Sequence, residues 1–550
     1  MRKFIYIGLL ATLGFSSCEK NFLERPPQND VSETTFWTSP QEVYLAVNAI
    51  YADLPGDGVM YEDAATDIAH GQYTWESKAT AVAAGTVNTS LDAGWSYVDK
   101  RKANYFLENV DKATMDEKLK ERYKAEVRFL RAFSYYTMMS NFGDIPLVTT
   151  VLEIKEEVLN IKRTPKAQVL DFILNELTEV AKVLPESYVG GKFNEKGRVT
   201  KGAALAFKSR VLLNEGQYEL AAAVAREVMG MGYSLFNAGE ESERDLKDDY
   251  SKFVDFKDAT DEQKFRAALR SYEGIFHEVN EGNSEVILDR QYIVQSQANY
   301  YNTFLMDAAT GGWSSIAPTQ DLVDAYEVYQ TGERVKSPTL EQRANYFKND
   351  AAKFVEEYKN RDPRFYATIS FKGAPWNALT EVGGYKYDWR GSGNNVSKTG
   401  YGFRKFVDPA ASRAELDNYS NAVLIRYAEV LLNFAEAQNE AFGPSAEVYD
   451  AIDKIRKRAA MPVLDRSKLG SKDALREAIR HERMVELALE GRRYLDIRRW
   501  KIAPDVMKDI YGVNGDIAQR RVWSDKLYLM PVPQKQIDLS YGVLEQNQGY

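Results

Sequence analysis

The chain has 550 residues, 44% of them hydrophobic and 27% charged, and a formal net charge of −9. That acidity argues against a protein that neutralises nucleic-acid phosphates, and a single cysteine excludes disulfides within the chain. Three histidines, His70, His277 and His481, leave little for a multi-histidine metal site or a Ser-His-Asp triad.

The first element is a leader. Arg2 and Lys3 precede an apolar run from Phe4 to Phe15, and small residues Ser16 and Ser17 follow. This pattern predicts a secretory signal over 1–17, because the run is shorter than the roughly 20 residues a membrane span needs. Cleavage there would make Cys18 the first residue. The stretch LLATLGFSSCEKN resembles a bacterial lipoprotein lipobox, with Phe15 where an aliphatic residue is usual. The resemblance implies lipidation of Cys18, which would remove the oxidation liability of a lone exported thiol. The alternative is an ordinary signal with an incidental cysteine. Residues 18–30, polar and with paired prolines, read as a lipidated tether.

Helices come next. Ser39 and Pro40 predict a helix start, with Val43, Val47 and Ile50 on one face. Residues 55–97 read as irregular. Within 117–142, Leu119, Tyr123, Val127 and Leu130 recur at helical spacing, and Phe129, Phe133 and Tyr136 form a second face, so burial on two sides is expected. Gly143 and Pro146 stop this helix. Thr164-Pro165 opens another, with the stripe Ile173, Leu177, Val180 and Leu184. Residues 200–214 and 218–231 form an alanine-rich pair whose Gly216, Tyr218 and Ala221 match a tetratricopeptide turn. A second pair spans 421–441 and 445–460. Residues 237–420 read as loops and short helices laid over the helical part, rich in aromatics that argue against disorder.

Near the end, HERMVELALEGRRYLDIRRW (481–500) stacks Glu482, Glu486 and Glu490 on one helical stripe. Like charges so placed repel, and Arg483, Arg492, Arg493, Arg498 and Arg499 are the expected partners. The block reads as a salt-bridge lattice; the alternative is a pair of catalytic carboxylates.

The chain resembles the SusD/RagB nutrient-uptake lipoproteins of the Bacteroidetes. The resemblance rests on CEKNFLERPP, EVRFLRAFSYYTMMSNFGDIPLV (126–148), GRVTKGAALAFKSRVLLNEGQYELAA (197–222), PTQDLVDAYE (318–327), NRDPRFYATI (360–369), IRYAEVLLNFAEAQNE (425–440), ERMVELALEGRRYLDIRRW, and LYLMPVPQKQIDLSYGVLEQNQGY at the end. It implies a mainly α fold of tetratricopeptide-like helix pairs with few short strands. The implied division is an N-terminal helical region, 31–236, and a C-terminal region, 237–550, the latter loop-rich over 237–420, helical over 421–500 and ending in a tail over 501–550.

It also implies a non-enzymatic protein, lipid-anchored and surface-exposed at the outer membrane, that caps a SusC-like TonB-dependent barrel and holds an oligosaccharide or a peptide. No cofactor is implied, and a calcium ion is left open. Carried over by region, the resemblance points to 70–96 and 288–315 for the ligand face, and within them to Tyr73, Trp75, Tyr292, Tyr300, Tyr301 and Trp313. Tyr300-Tyr301 and the Gly-flanked Trp313 suggest an exposed loop, whereas Trp95 reads as structural. A secreted glycosidase and a pure helical scaffold are the rival readings.

Overall fold

The computed structural model describes residues 36–153, 160–188, 195–243, 245–379, 385–391, 393–410 and 417–550. The signal segment, the tether and Cys18 lie outside the described residues.

The scaffold is a stack of helices. α1 (Pro40–Tyr51) begins as Ser39-Pro40 predicts and buries Val43, Val47 and Ile50. α2 (Val98–Asn109) leads to α3 (Glu117–Phe142), which Asp116 caps by accepting the Leu119 N–H at 2.9 Å. α3 is buried on both expected faces: Val127, Phe129, Leu130, Phe133 and Tyr136 all lie inside. α4 (Lys166–Val183), α5 (Lys201–Asn214) and α6 (Tyr218–Met229) follow. α7 is Ala259–Glu273, and α8 (Tyr427–Phe442), α9 (Ala446–Arg458) and α10 (Lys472–Glu486) complete the stack.

α3 packs on α4, α4 on α5, α5 on α6, α6 on α8, and α8 on both α9 and α10. Consecutive helix hairpins that bury one face against the next hairpin are the tetratricopeptide arrangement. The strands are short and pair in twos: β1 (Ala69–Gly71) with β3 (Ile316–Pro318), and β2 (Val286–Arg290) with β4 (Ala422–Arg426), all antiparallel.

Three expectations are corrected. The helix expected from 421 starts at Tyr427, because Ala422–Arg426 is drawn into a strand by β2. Residues 55–97 hold two short helices (Met60–Asp63, Ala79–Ala83) and β1. Residues 237–420 are not laid over the core but help to build it. They supply α7, and Trp376, Tyr387, Trp389 and Tyr401 are all buried in an apolar cluster that runs from Trp37 to Leu544.

The glutamate stripe is a buried lattice, but its cations come from elsewhere. Arg426 donates to Glu486 (2.6 Å), Glu490 (2.6 Å) and Glu285 (2.7 Å). Arg364 reaches Glu482 (2.6 Å) and Glu486 (2.8 Å), Arg456 reaches Glu482 (3.0 Å), and Lys405 reaches Glu490 (2.6 Å). Arg458 donates to Glu486 as well. Of the expected partners, Arg483 serves Asp496 and Asn433, and Arg499 serves Glu436. Arg493 pairs with Asp67, and Arg498 binds the carbonyls of Ser140 and Tyr528. Arg492 donates to the Glu490 carbonyl. The reason is geometric: α10 ends at Glu486, so Glu490 joins the lattice from the turn that follows and not from the expected helical stripe, and that turn, with Leu489 at φ +68° and Gly491 at φ +70°, redirects the chain so that the arginines beyond it face other walls. Burial pushes the Glu486 carboxyl up, but the guanidiniums of Arg458, Arg426 and Arg364 outweigh it and hold it far below its ordinary value. Carboxylates so neutralised and so deeply buried cannot serve as an acid/base pair in an open cleft.

Candidate functional site: an exposed aromatic face

β1 and β3 are three residues long, yet their pairing builds the site. The Gln72 N–H donates to the Ser315 carbonyl (2.8 Å), which continues the ladder past Gly71. The segment leaving β1, with Tyr73, Trp75 and Glu76, is thereby set beside the segment entering β3, with Trp313 and Ser315. Glu76 joins the two: its carboxylate accepts from the Ser315 hydroxyl (2.9 Å) and from the Tyr61 phenol (2.7 Å). Burial, then the Glu76 carboxylate, push the Tyr61 phenol well above its usual value, so it remains a donor.

Aromatic rings continue the surface. Tyr73 and Trp75 lie with centroids 4.7 Å apart and planes inclined by 31°. Phe304 is central: it packs on Tyr61 at 5.7 Å, on Trp313 at 5.7 Å and on Tyr300 at 5.6 Å. Trp75 is 76% exposed, Tyr300 59% and Trp313 42%. Large rings this exposed, packed against half-buried aromatic neighbours, mark an interaction surface more than a defect of packing.

Hydrogen bonds hold Trp313, Tyr73, Tyr300 and Tyr292 in place. In the turn that presents Trp313, Gly311 has φ +89°, and a Cβ at Gly312 would lie 2.2 Å from the Met306 carbonyl oxygen. Only glycine allows that approach. Trp313 N–H donates to the Thr303 carbonyl (2.7 Å), and Ser315 N–H to that of Phe304 (2.7 Å). Ser314 takes φ +47°, strain that the surrounding bonds enforce. The Tyr73 phenol donates to the Asn395 side chain (2.7 Å) and accepts from its N–H (3.1 Å). Asp57 ties down the far end: it accepts from the Tyr300 N–H (2.6 Å) and the Tyr292 phenol (3.4 Å), while its own N–H donates to Tyr292 Oη (3.2 Å). Burial first, and then Asp57, push the Tyr292 phenol up to about 12.

Five of the six aromatics singled out in the sequence thus fall in two neighbouring groups, Tyr73–Trp75 and Trp313–Phe304–Tyr300, bridged through Gln72, Glu76 and Ser315, with Tyr292 tied to Tyr300 through Asp57. Tyr301 does not. It is 4% exposed and stacks on Phe406 at 4.8 Å, because adjacent residues at the start of the short helix Tyr301–Leu305 point to different sides. Trp95 is structural: it is buried with its ring edge-on to Phe142 at 4.9 Å. The sequence reading missed Phe304, Tyr61, Glu76, Asp57 and Asn395, since nothing local to them signals that β1 and β3 meet.

Comparison with known proteins agrees with this architecture. A model of the SusD family matches residues 272–550, and one described as starch-binding associating with outer membrane matches 21–213. The SusD-like protein P2 of Formosa agariphila is 24% identical over 581 residues, covering 100% of this chain and 99% of that relative. A crystal structure of a SusD-like protein from Bacteroides fragilis superposes with a TM-score of 0.79 at 30% identity, over 96% of this chain and 100% of the other. A SusD-like carbohydrate-binding protein of the same species gives 0.74 at 25% identity, over 92% and 99%. On its fold, its helix hairpins and a family match over half its length, the chain belongs to the SusD family.

Proposed function

We propose that the protein captures a nutrient oligosaccharide on the Trp75–Trp313–Tyr300 face and caps a SusC-like TonB-dependent barrel of the outer membrane as a lid. The observation that carries this is the exposure of three large rings, each packed against a half-buried aromatic neighbour, Phe304 for Trp313 and Tyr300 and Tyr73 for Trp75. A pyranose offers a flat face of C–H groups and a rim of hydroxyls. In this reading the rings cover the first, and spare lone pairs on Asp57, Glu76 and Asn395 with the Tyr73 and Tyr292 hydroxyls bind the second. The family match through the outer-membrane association model, and the carbohydrate-binding relative, support the same reading. The role is binding and not turnover. Anchoring is through acyl chains on Cys18, of which more than one is needed because a single chain holds a protein to a membrane only marginally.

Calorimetry of the mature chain against oligosaccharides and peptides tests the reading. An oligosaccharide is expected to bind, and Trp313→Ala to weaken it: uncovering about 60 Å² of ring removes about 1.5 kcal/mol, roughly tenfold in Kd. A folded Trp313→Ala protein that binds as tightly as wild type contradicts the site. Binding of peptides alone transfers the same architecture to that ligand class.

A further inference from the structure

Three carboxylates stand around the aromatic face, and each is satisfied without a cation. Asp57 accepts from the Tyr292 phenol, the Tyr300 N–H and the Gly58 N–H (3.1 Å). Glu76 accepts from Tyr61 and Ser315. Asp307 accepts from the Thr310 hydroxyl (2.9 Å) and N–H (3.1 Å) and from the Tyr385 phenol (3.5 Å). None is fully buried, and among the described residues none of the three is ion-paired. The interior shows the opposite habit, every glutamate of the lattice being matched by arginine or lysine. Among the described residues, the cation that touches a ring of this face is Arg290. Its guanidinium lies 5.7 Å from the Tyr292 ring, and its Nη1 is committed to the Leu54 carbonyl (2.7 Å).

Resting on the saccharide reading above, we propose that this face selects uncharged saccharides and rejects those bearing carboxylate or sulfate groups. Two physical steps lead there. First, a carboxylate whose neighbours are hydroxyls and amides keeps lone pairs free for further donors, and neutral sugar hydroxyls are donors. Second, an anionic substituent brought to contact distance meets an uncompensated like charge, which weakens binding about fivefold per pair in water at low salt. The repulsion fades as salt rises, since exposed charges are screened within about 8–10 Å at physiological ionic strength. The overall charge of −9 acts in the same direction at longer range.

The test compares neutral gluco-, xylo- and manno-oligosaccharides with oligogalacturonides and sulfated galactan oligomers of matched length, by calorimetry at low and high salt. The proteins are the mature wild-type chain, Trp313→Ala, and a triple variant Asp57→Asn, Glu76→Gln, Asp307→Asn that keeps the acceptors and removes the charges. The expected result is binding of a neutral oligomer and at least fivefold weaker binding of every acidic one. The acidic oligomers should gain affinity with salt and in the triple variant. An acidic oligomer that binds wild type more tightly than every neutral one, and loses affinity with salt, overturns the charge selection. If Trp313→Ala also abolishes that binding, the saccharide face itself stands. Binding of no saccharide of either kind overturns both.

Discussion

Arg426→Met is expected to destabilise the protein by about 3–5 kcal/mol without altering the aromatic face. Arg426 is 1% exposed, and it touches Glu285, Glu486 and Glu490 at once, as well as the Glu486 carbonyl (2.7 Å). A methionine fills much of the volume but leaves Glu490 with Lys405, and Glu285 with Arg458. Removing one partner from a buried charge array leaves the others desolvated and under-compensated, which costs far more than an exposed pair contributes. Chemical denaturation at pH 7 measures the loss.

The pH dependence has a definite sign. Glu482, Glu486 and Glu490 all sit below their ordinary value of 4.5, because guanidinium and ammonium attraction exceeds the penalty of burial. A carboxyl with a lowered folded-state value stabilises the fold fully above 4.5, and this contribution is lost as pH falls through the folded value. The gap between wild type and Arg426→Met should therefore be widest near neutrality and narrow below pH 4.5. A constant gap down to strongly acidic pH would show that the lattice is not what Arg426 supports.

The adjacent tyrosines should behave as opposites. Tyr301→Ala removes a ring that is buried and stacked on Phe406, so it should cost about 3–5 kcal/mol, as for other large aromatic truncations in a core. Tyr300→Ala removes an exposed ring that touches Phe304, and stability should change by less than about 1 kcal/mol. Ligand affinity should follow the reverse order once both proteins are compared in the folded state. Paired unfolding and binding curves for the two variants decide it, and equal stability losses would contradict the assignment of their faces.

Much of the scaffold was legible because helical periodicity is local. The stripe Val43, Val47, Ile50, the two faces of 117–142 and the small residues near Gly216 each specify a helix and its buried side without reference to distant chain. What was not legible is long-range. Ala422–Arg426 reads as the start of a helix until β2, well over a hundred residues earlier, pairs with it. The arginines after Gly491 look like partners for the glutamate stripe, but the turn there aims them away and Arg364, Arg426, Arg456 and Arg458 arrive from other elements. Similarly, composition marks 288–315 as aromatic-rich, and Gly311-Gly312 marks Trp313 as presented by a turn. Only the β1–β3 pairing brings the segment that carries Tyr73 and Trp75 beside the one that carries Trp313. Tyr300 and Tyr301 are indistinguishable by residue type, and only their place at a helix start separates them.

The most direct measurement is a crystal structure of the mature chain soaked with the oligosaccharide that binds best in calorimetry. Sugar rings are expected to lie against Trp75, Trp313 and Tyr300 at contact distances of about 4 Å, with hydroxyls donating to Asp57 or Glu76. An ordered ligand seated elsewhere, with those three rings bare, would contradict the proposed site.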